Sequence, residues 1–308
     1  MRIPQNRWRV ATVPTQALEQ EIPALARRLG VPELVARLLW QRELRDPEEA
    51  RTFLSPRLTD LESPSVLPDI DVAARRLATA IRNDEPIGVF GDYDVDGMTG
   101  TALLVRFFRL AGGTVHWEIP DRTSDGYGMS AEGAERLAAQ GARVIVTVDN
   151  GIGAHEAVER ANALGVDVIV TDHHLPGPRL PDALAVVDPH RADASGQGRG
   201  LCGCGVAFKT AWAVAERLRN VAGSSSQEAA RLREFLRDAV GLVALATVSD
   251  VVPLRGENRV LVASGLAALR ASLHPGIRAL LECARVGATP LTTEDVAFRI
   301  APRLNAAG

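Results

Sequence analysis

Three short apolar runs, Ile87–Phe90, Val144–Val148 and residues 166–170, each lead within two residues to acids or imidazoles. The first opens into Gly91-Asp92-Tyr93-Asp94-Val95-Asp96-Gly97, the second into Asp149-Asn150-Gly151, and the third into Asp172-His173-His174. Runs this short and this rich in valine and isoleucine suit buried strands better than helices. Between them, residues 72–81, 99–110, 131–139 and 154–164 carry apolar side chains at helical spacing, and residues 115–119 and 185–187 read as further strands. Such alternation predicts an α/β fold, a mostly parallel sheet flanked by helices. In such a sheet the downstream strand ends are where active sites form, and all three polar clusters stand there.

The flanking regions differ. Residues 1–70 predict an N-terminal helical segment, with helices near 24–29 and 34–40 and a connector punctuated by Pro56, Pro64 and Pro68. Residues 71–252 form the expected catalytic domain. Within it, residues 181–200 read as loop, 206–218 as helix, Gly223-Ser224-Ser225-Ser226 as a mobile turn, and 227–248 as one or two helices. Residues 253–308, with helices near 260–270 and 277–284, predict a helical connector toward a second domain.

With 46% hydrophobic residues in 308, the chain has ample material for a core without staples. Its 38 acids and 35 bases nearly cancel, so net charge neither announces nor excludes a nucleic-acid ligand. Cys202, Cys204 and Cys283 are too few for a disulfide framework. The opening Met1-Arg2-Ile3-Pro4 starts no apolar signal core, and no apolar run approaches the ~20 residues a membrane span needs, so a cytoplasmic location is expected.

The first cluster begins like a calcium loop, with Asp92, Asp94 and Asp96 ahead of Gly97, but the twelfth position holds Leu103 where a glutamate is needed. Three carboxylates crowded at one strand end repel, and a divalent cation is the natural compensation. Asp149 with Gly151 and Gly153 would alone read as a helix-capping turn; its place between two other clusters favours a ligand. His173 and His174, being adjacent, point in different directions, so one can ligate metal while the other faces substrate, with Asp172 supplying an orienting oxygen. Asp250, an acid in an apolar setting, reads equally as a ligand or as a C-cap or salt-bridge partner. Cys202-Gly203-Cys204 lacks the second pair of a zinc site, and Gly203, Gly205 and Lys209 near a helix start read either as a phosphate contact or as ordinary capping. Carboxylates with imidazole and no thiolates favour Mn²⁺ or Mg²⁺ over Zn²⁺. The set Asp92, Asp94, Asp96, Asp149, His173 and Asp250 exceeds what one octahedral site would use while leaving room for water, which favours two ions, ~3.5–4 Å apart, and phosphoester hydrolysis.

With these residues in place the chain resembles the DHH phosphoesterases, and within them the bacterial RecJ-type single-strand-specific 5′ exonucleases. The likeness extends to Ile119-Pro120-Asp121-Arg122, Asp125-Gly126-Tyr127-Gly128, Gly205-Val206-Ala207-Phe208-Lys209, Glu257-Asn258-Arg259 and the stretch from Ala301 through Pro302, Arg303, Leu304 and Asn305 to Gly308. It implies that Asp94, Asp96, Asp149, His173 and Asp250 ligate two Mn²⁺ or Mg²⁺ ions with Asp149 bridging. It also implies that His174 faces the scissile phosphate, that Asp172 orients the imidazoles, and that Arg122, Tyr127, Arg303 and Asn305 bind the strand. Single-stranded DNA is the implied substrate, with a single-strand-binding protein and a repair helicase as implied partners in recombination and repair.

Two departures stand out. Phe90 occupies a position where some family members carry a metal-binding histidine, which shifts weight onto Asp92 or an extra water. The chain also ends at Gly308, where RecJ-like sequences continue into a second domain, so a catalytic core portion is expected. Two alternatives remain: a DHH phosphatase or nanoRNase acting on short oligonucleotides, and an inactive replication scaffold, against which the intact ligand set argues.

Overall fold

The computed structural model describes residues 12–123, 126–196, 200–219, 225–287 and 290–306. Asp125, Gly223, Ser224, Ala307 and Gly308 of the sequence motifs lie outside them. The chain divides into two compact units, Met1–Arg57 and Leu58–Gly308.

The first unit holds α1 (Ile22–Leu29), α2 (Glu33–Gln41) and α3 (Pro47–Leu54). Gly30 ends α1 in the left-handed conformation, and Asp46 caps α3 by accepting the amides of Glu48 and Glu49 ahead of a favourable Pro47. Ile22, Leu25, Leu39 and Leu44 are buried together as its core.

The second unit is built on five strands: β1 (Ile87–Phe90), β2 (Val115–Glu118), β3 (Val144–Val148), β4 (Asp167–Thr171) and β5 (Ala185–Val187). All pair in parallel in the order β2-β1-β3-β4-β5. The two-residue alternation of strands divides the core. Ile87, Val89, Val144, Val146, Val148 and Ile169 pack on α4 (Ile70–Arg82), α5 (Val95–Leu110), α8 (Gly203–Arg219) and α9 (Ser226–Ser249). Phe90, Ile145, Val168, Val170 and Val186 turn the other way onto α6 (Ala131–Ala139) and α7 (His155–Ala163). Phe90 is therefore a core residue beneath α6, where an added Cβ on Gly133 would sit 2.6 Å from its ring. The edge of β5 is closed by side chains: Val186 donates its amide to Asp69, and its carbonyl accepts from the Arg191 guanidinium.

Among the helices that start earlier than their apolar periodicity predicts, two do so on an aspartate side chain. The helix expected from 99 begins at Val95, because Asp94 accepts the Gly97 amide as its N-cap. The helix expected from 206 begins at Gly203, its first amides being held by Asp96 on α5. Residues 227–248 form one helix, started by a Ser225–Glu228 capping box. Beyond it α10 (Gly256–Ala271) and α11 (Pro275–Cys283) follow, and a helical stretch at 293–305 ends the described chain. No single helix among the described residues is long and apolar enough to cross a membrane.

Lys209 is no phosphate contact. Its ammonium is fully buried 2.5 Å from Glu257 and 2.6 Å from the Glu62 carbonyl, and Glu257 also accepts the Glu62 amide. Burial pushes the Lys209 ammonium down and the Glu257 carboxyl up. The pair joins α8, α10 and the chain ahead of α4, and removing one partner leaves the other charge buried alone. Lys209→Met or Glu257→Leu singly is expected to lower unfolding free energy by about 3–5 kcal/mol, and the double substitution to recover most of it. Urea titration of the three variants checks this; a double variant as weak as the singles would show that the two charges do not act as a pair.

Candidate metal centre

Strand register sets the geometry. Phe90 stands opposite Thr147, Val148 opposite Thr171, and Thr171 opposite Val187. Continuing each strand brings Asp92, Asp149, Asp172 and Asp188 level at the sheet's downstream edge. The chain passes from β1 out to β2 and returns across β1 to β3, so the crevice at this switch point opens between the Asp92 and Asp149 loops.

Each loop is held by its own sequence. Asp149 sits at φ 64°, a left-handed conformation that aspartate tolerates. Thr147 Oγ1 donates to the Asn150 carbonyl at 2.6 Å, and the Asn150 amide donates to the Val148 carbonyl at 2.9 Å, while its Oδ1 accepts the Met129 amide. The Asp149 side chain thus does not cap α7, whose N-cap is Ala154. Gly203 lets α8 pass against it, since a Cβ there would lie 2.6 Å from Asp149 Cβ. Gly97 does the same for Asp92, with a Cβ separation of 2.5 Å. Asp172 gathers the third loop: Oδ1 accepts the His173 amide at 2.7 Å, the His174 amide at 3.2 Å and His174 Nδ1 at 2.7 Å, and Oδ2 accepts the Ile152 amide at 2.9 Å.

Donor atoms converge in three sets, each within 4.8 Å: Asp149, His173 and His174; Asp96, His173 and Asp250; Asp92, Asp94 and Asp149. All six metal-binding residues expected from sequence are brought together. Asp149 and His173 each belong to two sets, the overlap that a pair of neighbouring ions requires. His173 Nε2 lies 3.0 Å from Asp149 Oδ1, 3.7 Å from Asp96 and 3.8 Å from Asp250. Asp250 is the C-cap of α9, followed by exposed Val251 at φ 59°, a conformation rare for a β-branched residue.

The electrostatics are those of a cation-binding site. Burial and then neighbouring charge raise Asp149 well above the carboxylate range. Burial raises Asp96 to about 7 against the Cys204 amide, and raises Asp92 and Asp250 to about 6. Burial also depresses the His173 imidazole to about 4, leaving it the neutral form that binds metal. Asp92 Oδ1 and Asp149 Oδ1 are buried with no hydrogen directed at them, although Asp149 Oδ1 is within ion-pair distance of His173. Oxygen and imidazole donors, two of them orphaned, fit a hard divalent cation. His174 differs: its hydrogen bond to Asp172 raises it above the ordinary value, so Asp172 favours the protonated form of this half-exposed imidazole beside the ligands. Burial would raise Asp172, but His174 and the amides of Ile152 and His174 hold it below the usual range.

Of the expected strand-binding residues, Tyr127 is at the centre, donating its hydroxyl to the Asp149 carbonyl at 2.9 Å and lying edge-on to His174. Arg122 stacks 4.6 Å over the Tyr93 ring, at the mouth of the Asp92 loop. Asn305 Oδ1 accepts the Val95 amide at 3.0 Å, which ties the chain's last motif to the first helical residue after Asp94. Arg303 is not brought to the ligands by any such contact; its guanidinium donates to the Arg299 carbonyl. The phosphate contact weighed for Gly203 does not hold either, because the Gly203 and Cys204 amides are each 2.7 Å from an Asp96 oxygen, and the Gly205 amide donates to the Cys202 thiol. Cys202 and Cys204 are buried free thiols.

Sequence reasoning missed Asp188. It is fully buried, its Oδ1 accepts the His190 amide at 2.6 Å, its Oδ2 is orphaned, and burial raises it to about 7. The signal was available: Asp188-Pro189-His190 follows the run Ala185–Val187 as the other clusters follow theirs.

These raised carboxyls set a pH dependence. Below about 4 they are protonated in both states; as pH rises the unfolded acids ionise first, and stability is lost until the folded groups ionise near 6 to 7. His173, depressed to about 4, acts oppositely, but one imidazole opposes Asp92, Asp96, Asp149 and Asp250. In chelator, the melting temperature is therefore expected to be higher at about pH 5 than at about pH 8, and added divalent cation to close the gap. Calorimetry at both values checks the sign; a melting temperature that climbs with pH in chelator would contradict the carboxylate assignment.

The comparisons with known proteins agree with this geometry. Residues 86–247 match the DHH family, N-terminal domain. The chain is 42% identical over 281 residues to the single-stranded-DNA-specific exonuclease RecJ of Dickeya dadantii, covering 91% of this chain and 48% of that protein. It is 41% identical to RecJ of Escherichia coli, covering 90% and 48%. The structure of Thermus thermophilus RecJ in complex with Mn²⁺ superposes with a TM-score of 0.76 at 37% identity, over 98% of this chain and 40% of that one, and its Mg²⁺ complex with 0.66 at 34% identity, over 98% and 37%. The chain spans about half the length of the curated relatives it matches. A sheet-edge carboxylate row with an Asp-His-His loop, read with the match over residues 86–247, establishes that the chain belongs to the DHH family.

Proposed function

We propose that this chain is the core of a metal-dependent exonuclease that hydrolyses single-stranded DNA from the 5′ end and releases 5′-mononucleotides in recombination and repair. The observation that carries the proposal is the overlap of the donor sets at Asp149 and His173, which favours two adjacent ions. The Mn²⁺ and Mg²⁺ complexes of the Thermus thermophilus relative support these metals for the site. Asp94, Asp96, Asp149, His173 and Asp250 would hold them, with Asp92 in the place of the histidine that Phe90 lacks. Bound ions of this kind lower the barrier to in-line attack of water on phosphorus.

The chain's own residues do the rest. Asp172 holds the proton on His174 Nδ1 and favours the protonated ring, which would turn positive charge toward the scissile phosphate. Tyr127 fixes the Asp149 main chain and flanks His174. Arg122, braced on Tyr93, offers a planar fork for a backbone phosphate. Exposed Arg303 is assigned to the strand, and Asn305 contributes from its place against Val95. A cytoplasmic location accords with this role, and a single-strand-binding protein and a repair helicase are the partners the family resemblance supports.

The test is release of nucleotides in Mn²⁺ from 5′- and 3′-labelled single strands and from matched duplex. Mononucleotides should appear first from the 5′ label of the single strand, and Asp149→Ala should reduce the rate by more than about a hundredfold, beyond the usual cost of losing an outer-sphere partner. Equal cleavage of a dinucleotide and a long strand would instead favour a small-oligonucleotide hydrolase.

A further inference from the structure

Resting on the metal-centre reading, we propose that His190 is a positioning residue for the histidine pair, acting through the peptide between His173 and His174. Its Nδ1 lies 2.5 Å from the His173 carbonyl oxygen. A carbonyl only accepts, so Nδ1 must carry the hydrogen and donate it. The N–H of the same peptide, that of His174, is held at 3.2 Å by Asp172 Oδ1. One peptide plane is thus fixed at both poles, its N–H from β4 and its C=O from the loop after β5.

That plane sets ψ of His173 and φ of His174, the two rotations that aim a metal-binding imidazole and its substrate-facing neighbour. The anchor is itself anchored. Asp188, level with Asp172 in the register, accepts the His190 amide at 2.6 Å, and Pro189 between them has its φ locked by the ring. His190 is a member of none of the three donor sets and reaches His173 only at its carbonyl, so its effect on them passes through the main chain.

The experiment is calorimetric titration of Mn²⁺ into metal-free wild type, His190→Ala and His190→Asn, with each protein's melting temperature taken in chelator. Asparagine places an N–H₂ near the position of Nδ1, so it can restore the donor without the ring. His190→Ala is expected to bind Mn²⁺ about tenfold more weakly, as loss of such a partner does elsewhere, and His190→Asn to regain most of that loss, with all three melting alike. Unchanged affinity in His190→Ala would overturn the proposal, as would equal weakening in both variants. Failure of wild type itself to bind Mn²⁺ would overturn the metal-centre reading, a result distinct from either.

Discussion

Carboxylates cannot be lined up in a buried row without something to answer their charge, and this fold lines them up by register. Once β1, β3, β4 and β5 pair as they do, Asp92, Asp149, Asp172 and Asp188 come level, and the rest of the site answers that crowding. Asp172 is answered by His174 and three amides, and Asp96 by the amides that open α8. Asp92, Asp149 and Asp188 keep orphaned oxygens, and the first two flank the switch-point crevice and belong to the donor sets.

The rigidity of the row has a backbone origin. Asp149 occupies a left-handed conformation inside a net of Thr147, Asn150 and Thr171, in which Thr171 Oγ1 donates to the Thr147 carbonyl at 2.6 Å. Asn150 also reaches the Phe90 carbonyl and the Met129 amide, so the β1 end, the β3 loop and the segment after Tyr127 move together. Donors mounted on neighbouring strand ends and cross-linked in this way are positioned by the protein's own hydrogen bonds, and preorganisation of that kind lets binding energy go into chemistry.

Much of this was legible from residue order alone. Strands β1 and β3 and helix α6 fall where the apolar runs place them, because short β-branched runs bounded by turns have few other solutions. Helix starts were less legible. Asp94 to Gly97 looks like loop by propensity, and only the capping bond to the Gly97 amide makes it the first turn of α5. The start of α8 was hidden for a different reason, since the side chain that caps it is Asp96, 107 positions earlier. Lys209 misled in the same way: a lone lysine near a glycine-rich helix start suits a phosphate, and its true partner, Glu257, is distant in sequence. Local chemistry is written locally, whereas pairings across the fold are fixed by packing.

On the proposed function, the occupation of the α8 N-terminus by Asp96 bears on how a nucleic acid would be held. A helix N-terminus is a ready anion site, and here its first amides are spent on a carboxylate of the protein. A substrate phosphate at the crevice would then draw positive charge from elsewhere, from cations held by the donor sets, from His174, whose protonated form Asp172 favours, and from Arg122 stacked on Tyr93. The helix dipole, spent inward on Asp96, stabilises the ligand cage itself, so the same feature that closes α8 to substrate keeps a buried carboxylate in place for metal.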